Sequence, residues 1–235
     1  MINLAPHNLL HNHITCIYSP LFELASSLLV LTRSQTEERH REWVNQTLAV
    51  FDQEQLSADF HYFSAIFLRT IPWIFHPNQT KNIQNSEEMY EYLLNIPLET
   101  FHEACSTALH GEKIVQVQKP LPVEIDLQRD PEFVRGRFLL FMAAYWELFF
   151  SSTWERILLL LEKEAAQIKE ACTSVEQFSH FLQSRAFPSP QGENQQTDPH
   201  PDELQYVHMY PSVFYEGIPI FHSRSGTGHF LYPIH

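Results

Sequence analysis

The sequence predicts a mainly α protein: a helical domain around a long central apolar helix pair, with a small antiparallel β meander at the C-terminal end. Three observations carry this. Apolar side chains recur at helical spacing through residues 133–172, and beyond residue 204 the period shortens to two. The chain also has only six glycines, too few to suit a nucleotide fold built on tight backbone approach.

The organising stretch reads FVRGRFLLFMAAYWELFFSSTWERILLLLEKEAAQIKEAC. Asp130 and Pro131 precede it as a polar N-cap and a proline at the first helical position. Phe138, Phe141, Tyr145, Leu148, Phe149 and Ser152 fall at helical spacing, and Ile157, Leu158, Leu161, Ala165, Ile168 and Cys172 continue it. Residues 138–150 are apolar nearly all round, broken only by Glu147, so this half is expected to be buried on several sides. A membrane span needs about 20 apolar residues, and Arg137 and Glu147 interrupt well before that. The expected element is therefore a core helix, bent or broken near Ser151-Ser152, whose second half keeps a solvated charged face.

Elsewhere the chain reads in short segments. Ser19-Pro20 opens a buried helix, Thr36 caps a second through Gln53, and Ser57 opens a third that Pro72 ends. Residues 76–86 are polar and loop-like, and helices follow over 86–95 and 97–109. Residues 111–129, with Pro120 and Pro122, read as an extended connector. Ser174 with Gln177 resembles a capping box opening a last helix to about Ser184. Short strands are expected over 206–214, 218–222 and 229–232, with Pro219 favouring an edge and a Gly- and Ser-rich turn over 223–228. The domain reading is a helical domain over 1–184, a flexible linker over 185–203, and a β segment over 204–235 packed on the helical domain as a single unit.

At 235 residues the chain can bury a substantial core. Its formal net charge of -13 repels a phosphate backbone, so no direct nucleic-acid binding is expected. Cys16, Cys105 and Cys172 are scattered, without the paired spacing of a disulfide framework or a thiolate metal site. The N-terminus has no basic region ahead of a long apolar core, which leaves a cytoplasmic protein, away from membranes, as the expectation. The glycosylation matches at Asn45-Gln46-Thr47 and Asn78-Gln79-Thr80 would then be idle.

Candidate chemistry is sparse. No G-x-S-x-G elbow occurs, and Ser223-Arg224-Ser225-Gly226-Thr227-Gly228 lacks the lysine and spacing of a phosphate loop; a hairpin turn explains its glycines. Imidazoles suit zinc, copper or nickel, but His7, His11 and His13 lack the spacing of a known site and read as a solvated terminus. A Glu-x-x-His pattern occurs twice, as Glu37 with His40 and Glu99 with His102. Di-iron helical bundles use two such motifs plus a glutamate from each of two other helices, for which Glu23 and Glu147 are the nominees. Glu37 lies in a first turn beside Glu38, Arg39 and Arg41, where the helix dipole alone favours an acid. The expectation is accordingly no metal, no cofactor and no catalytic residue, with the helical-bundle metalloprotein kept as the alternative. Glu147, costly if buried alone, should pair with Arg69, Arg137 or Arg156 or else line a cavity. If there is a pocket, Tyr145, Trp146, Glu147 and Phe150 are its expected wall; the same aromatics would also suit a filled core.

Separated stretches resemble one family when taken together. Ser19-Pro20-Leu21-Phe22-Glu23, followed by Ser27-Leu28 and Leu31, resembles the opening of a helical domain that precedes the winged helix in a subgroup of ArsR-type bacterial transcription regulators. Pro211-Ser212-Val213-Phe214 and Leu231-Tyr232-Pro233 resemble the extended segments before that winged helix, and residues 146–162 are similar to the intervening region. The resemblance implies a regulatory or dimerising domain, with no catalytic residues to carry over. The sequence ends at His235, where the winged helix would begin, and the thiolate motif of the metal-sensing branch is missing. The resulting expectation is a non-enzymatic, cytoplasmic regulatory domain, truncated or stand-alone, whose partners are a second copy in a homodimer and a small apolar ligand. It would act by population shift; a stand-alone interaction module is a further reading.

Overall fold

Several helix starts follow the capping chemistry of the sequence, although the second helix starts from Glu37 without a side-chain cap rather than from Thr36. In α1 (Pro20–Thr32) the Ser19 hydroxyl accepts from the Phe22 N–H, and Pro20 fills the first turn. Ser19 Oγ also donates to Thr80 Oγ1 at 2.7 Å, which ties the start of α1 to a later one-turn helix. α2 (Glu38–Gln53) and α3 (Ser57–Phe67) come next, then a 3-10 turn (Trp73–Phe75) and that short helix, α4 (Pro77–Thr80). α5 (Ser86–Asn95) is capped by Asn85, and α6 is Leu98–His110. α7 is Pro122–Arg129, and α8 (Pro131–Tyr145) is capped by Asp130. A π-helical turn over Trp146–Phe150 joins α8 to α9 (Ser151–Ala171), and Ser174 caps α10 (Val175–Ser184). The strands are β1 (Ile14–Cys16), β2 (Tyr206–Ser212), β3 (Ile220–Arg224) and β4 (Thr227–Pro233). This computed structural model describes residues 13–33, 36–110, 120–185, 206–224 and 226–234.

The mainly α architecture with a small C-terminal sheet matches the expectation, and several local features differ. Residues 122–129 are helical rather than extended, because Pro122 occupies a first helical turn and Glu124 reaches back to the Leu121 N–H at 3.3 Å. Residues 111–119 of that connector lie outside the described residues. Pro77 likewise starts α4 inside the expected loop, with the His76 ring accepting from the Asn78 N–H. The central helix continues through Ser151-Ser152, and its irregularity is a π segment over Trp146–Phe150 directly before them. Its apolar first half is not buried all round either, since Leu140 is 67% exposed and Leu148 half-exposed.

The strand pairing corrects the simple meander. Sheet order is β1-β2-β4-β3, and only β3 with β4 is antiparallel. β2 runs parallel to β4 from Tyr206↔Thr227 to Ser212↔Pro233, and β1 runs parallel to β2. Parallel partners need a long connection, so spacing between neighbouring strands does not reveal them. Pro219 precedes the edge strand β3, as its missing N–H requires, and Gly226 takes the left-handed φ of 75° at the turn into β4.

Two compact units divide the chain: Ser19–Glu155, and Met1–Tyr18 with Arg156–His235. The division falls inside α9 rather than at residue 184, and the expected linker beyond Arg185 lies outside the described residues. In the first unit Phe138 is fully buried, with the rings of Phe63 (5.2 Å), Phe101 (5.7 Å), Phe75 (6.2 Å) and Phe67 (6.3 Å) around it. Phe141 and Phe149 are buried as well. Replacing Phe138 by alanine should therefore cost about 3–5 kcal/mol. Leu140→Ala, two residues further on and on the exposed side, should cost no more than about 0.5 kcal/mol. Urea denaturation of the two variants checks this, and equal losses would refute the central role of Phe138.

Candidate functional site

The expected pocket wall does not form one wall. The Tyr145 hydroxyl meets Ser27 Oγ at 2.7 Å, and its ring packs with Phe51, Phe141 and Phe149 in the core. Burial pushes its phenol well above the usual range. Trp146 and Phe150 are buried in a different aromatic row that ends on Trp154. Glu147 is exposed and accepts a hydrogen bond from Ser86. Two of its expected arginines are engaged elsewhere: Arg137 pairs with Asp59 at 2.6 Å beneath Tyr62, and Arg69 donates to the His110 carbonyl. The π turn separates these side chains, because an extra residue per turn changes which of them share a face.

Neither do the Glu-x-x-His pairs converge. Glu37 is exposed and bound to Arg39, His40 is buried, Glu99 is exposed, His102 is half-buried, and Glu23 is fully buried in α1. Among the described residues no group of three or more His, Cys, Asp or Glu is placed to hold a metal ion. His7 and His11 lie outside the described residues.

A different cluster stands out in the second unit. Ile157, Leu161 and Ile168 form a buried stripe of α9 that Cys172 continues just past its end, and Glu164 occupies that same stripe, 5% exposed. A carboxylate there needs donors, and it has them. Arg185 Nε donates to Oε1 at 2.8 Å and Nη2 to Oε2 at 2.5 Å, the forked geometry that guanidinium and carboxylate favour. Tyr232 Oη on β4 donates to Oε1 at 3.0 Å. Burial first, then the Glu164 charge, holds the Tyr232 phenol well above its ordinary range, so it keeps the proton it donates. Arg185 Nη2 also reaches Gln167 at 2.8 Å, and its guanidinium lies 5.0 Å from the Phe181 ring centre.

Beside this cluster opens a cavity of about 360 Å³. Lys163, Glu164, Gln167 and Arg185 form its polar side, and Leu160, Pro233 and Ile234 its apolar side. Sequence reading missed it by assigning the charged residues of α9 to a solvated face. The available signal was position: Glu164 follows Leu161 by three and precedes Ile168 by four.

The thiols are poorly suited to nucleophilic work. Burial, with Glu164 and Cys172 nearby, pushes Cys16 up to about 12; burial alone pushes Cys172 to about 11 and Cys105 higher still. No helix among the described residues is long and apolar enough to cross a membrane. Compared with known proteins, the chain matches no family model, no curated protein and no solved structure.

Arg185→Ala leaves the Glu164 carboxylate short of its main donor and should destabilise the protein by about 2 kcal/mol, tempered by the partial exposure of the guanidinium. Pairing Glu164→Gln with Arg185→Met should recover at least half of that loss; denaturant midpoints of single and double variants measure it. At mildly alkaline pH a thiol reagent should label the folded chain slowly at all three cysteines and rapidly after denaturation. Fast labelling of folded Cys16 would contradict its raised pKa.

Proposed function

We propose that this chain is a non-enzymatic regulatory domain related to the ArsR-type transcription regulators, and that it binds a small ligand in the cavity beside Glu164. The cavity carries the reading. Its volume of about 360 Å³ suits a small organic molecule. Leu160, Pro233 and Ile234 suit an apolar body, while the Lys163 ammonium and Arg185 suit an anionic group at one end. The ligand class is thus a small organic acid, apolar over most of its surface. Glu164 is committed to Arg185 and Tyr232, an arrangement fit for holding elements together and ill suited to abstracting a proton from a substrate.

The family relation is supported by where the quoted motifs fall. Ser19-Pro20 caps and opens α1. The two extended motifs lie side by side, with Pro211 paired to Tyr232 and Ser212 to Pro233. The cavity draws on α9, the end of α10 and the end of β4 together. A ligand that prefers one arrangement of those elements would bias the direction in which the chain leaves β4. Cytoplasmic location, a homodimeric state and the absence of direct nucleic-acid contact belong to the same reading.

Thermal-shift measurements with a panel of aromatic and branched aliphatic carboxylic acids test it. A melting temperature that climbs with ligand concentration, and no longer does so in Lys163→Glu, is the expected result. A panel that leaves the melting temperature unmoved, or a shift that persists in Lys163→Glu, would overturn the assignment of the cavity.

A further inference from the structure

We propose that His208, Tyr210 and His229 form a binding site for a divalent transition-metal ion of the imidazole-preferring kind, zinc or copper. The site lies on the sheet, involves none of the cavity residues, and does not depend on the regulatory reading.

The register builds it. His208 on β2 stands directly opposite His229 on β4, and directly paired residues project from the same face. Tyr210 follows His208 by two and so shares that face. The same backbone row continues to Thr15 on β1, opposite His208, and to His222 on β3, opposite His229. Tyr210 Oη lies 2.9 Å from Nδ1 of His229 and 3.2 Å from Nδ1 of His208, and the two imidazole centres are 5.3 Å apart. Tyr210 is buried and the two histidines half-buried, so the donors are held by packing and still open to solvent.

Those separations match a coordination sphere. Nitrogen and oxygen ligands sit about 2.0–2.1 Å from zinc, so neighbouring ligands at tetrahedral or octahedral angles are about 3 Å apart. Both nitrogens already face one oxygen at that spacing. In the metal-free state a phenol has one hydrogen and can donate to only one ring; the other ring must carry its proton on Nδ1 and donate to the oxygen. An ion replaces both hydrogen bonds at once. The phenol proton passes to solvent, the ring that donated through Nδ1 gives up that proton and takes one on Nε2, and both Nδ1 lone pairs bind the metal. Two imidazoles and a phenolate suit zinc and copper, with water completing the sphere.

Titration of the full chain with zinc(II) chloride and copper(II) chloride, each alone, by calorimetry and absorption spectroscopy tests the assignment. One ion per chain should bind, and the copper form should show a tyrosinate-to-copper charge-transfer band. His208→Gln and His229→Gln should each weaken binding about tenfold or more. Tyr210→Phe should abolish the band, and a His7→Gln/His11→Gln variant should bind as the unaltered chain does. Failure of the unaltered chain to bind, equal binding by a folded His208→Gln/His229→Gln double variant, loss of the ion in the N-terminal variant, or a copper complex without the tyrosinate band would each overturn it.

Discussion

The aromatic contact around Phe138 is the constraint on which the helical unit depends. One ring on α8 meets Phe63 and Phe67 of α3, Phe75 of the 3-10 turn and Phe101 of α6. Aromatic rings are large and rigid, so burying several against one another leaves few ways to arrange the helices that carry them. The polar bonds at the margin then refine what the rings decide. Asp59 takes the Arg137 guanidinium, Asp126 takes the Tyr62 hydroxyl, and Ser27 takes the Tyr145 hydroxyl. Each satisfies a group that packing would otherwise strand.

The second unit is organised on the opposite principle. Its buried anion, Glu164, requires donors from elsewhere in the unit, and Arg185 and Tyr232 supply them. A buried ion pair contributes little net stability and restricts the arrangements that keep it satisfied. The apolar contact of Phe181 with Tyr232 runs alongside it. The cavity lies where these elements meet without filling the space between them.

What was legible in the sequence was mostly local. Ser19, Asp130 and Ser174 each cap the helix that follows, as expected, because capping depends only on a short polar side chain and its next few N–H groups; Thr36 does not, since α2 starts from Glu37. Pro122 was read as part of an extended connector where it starts a helix, since the same ring serves both uses. The sheet was seen as strands and missed as a topology. The partners of β2 are β1 and β4, and periodicity contains no information on pairing across such distances. The candidate sites were illegible for a related reason. Aromatic density drew attention to residues 145–150, whereas the polar clusters join Glu164 to Arg185 and Tyr232, and Tyr210 to His229. Such side chains are brought together by the fold, so no local window could have grouped them.

The discontinuity of the second unit has a consequence for biogenesis. β1 is made before the helical unit, yet its hydrogen-bonding partner β2 is made only after it. The helical unit, encoded without interruption between them, can close its core on the nascent chain while β1 still has no ladder to join. Sheet assembly must wait until β2 has been made, a slow long-range closure during which the unpaired strand edge is open to chaperones or to a neighbouring polypeptide.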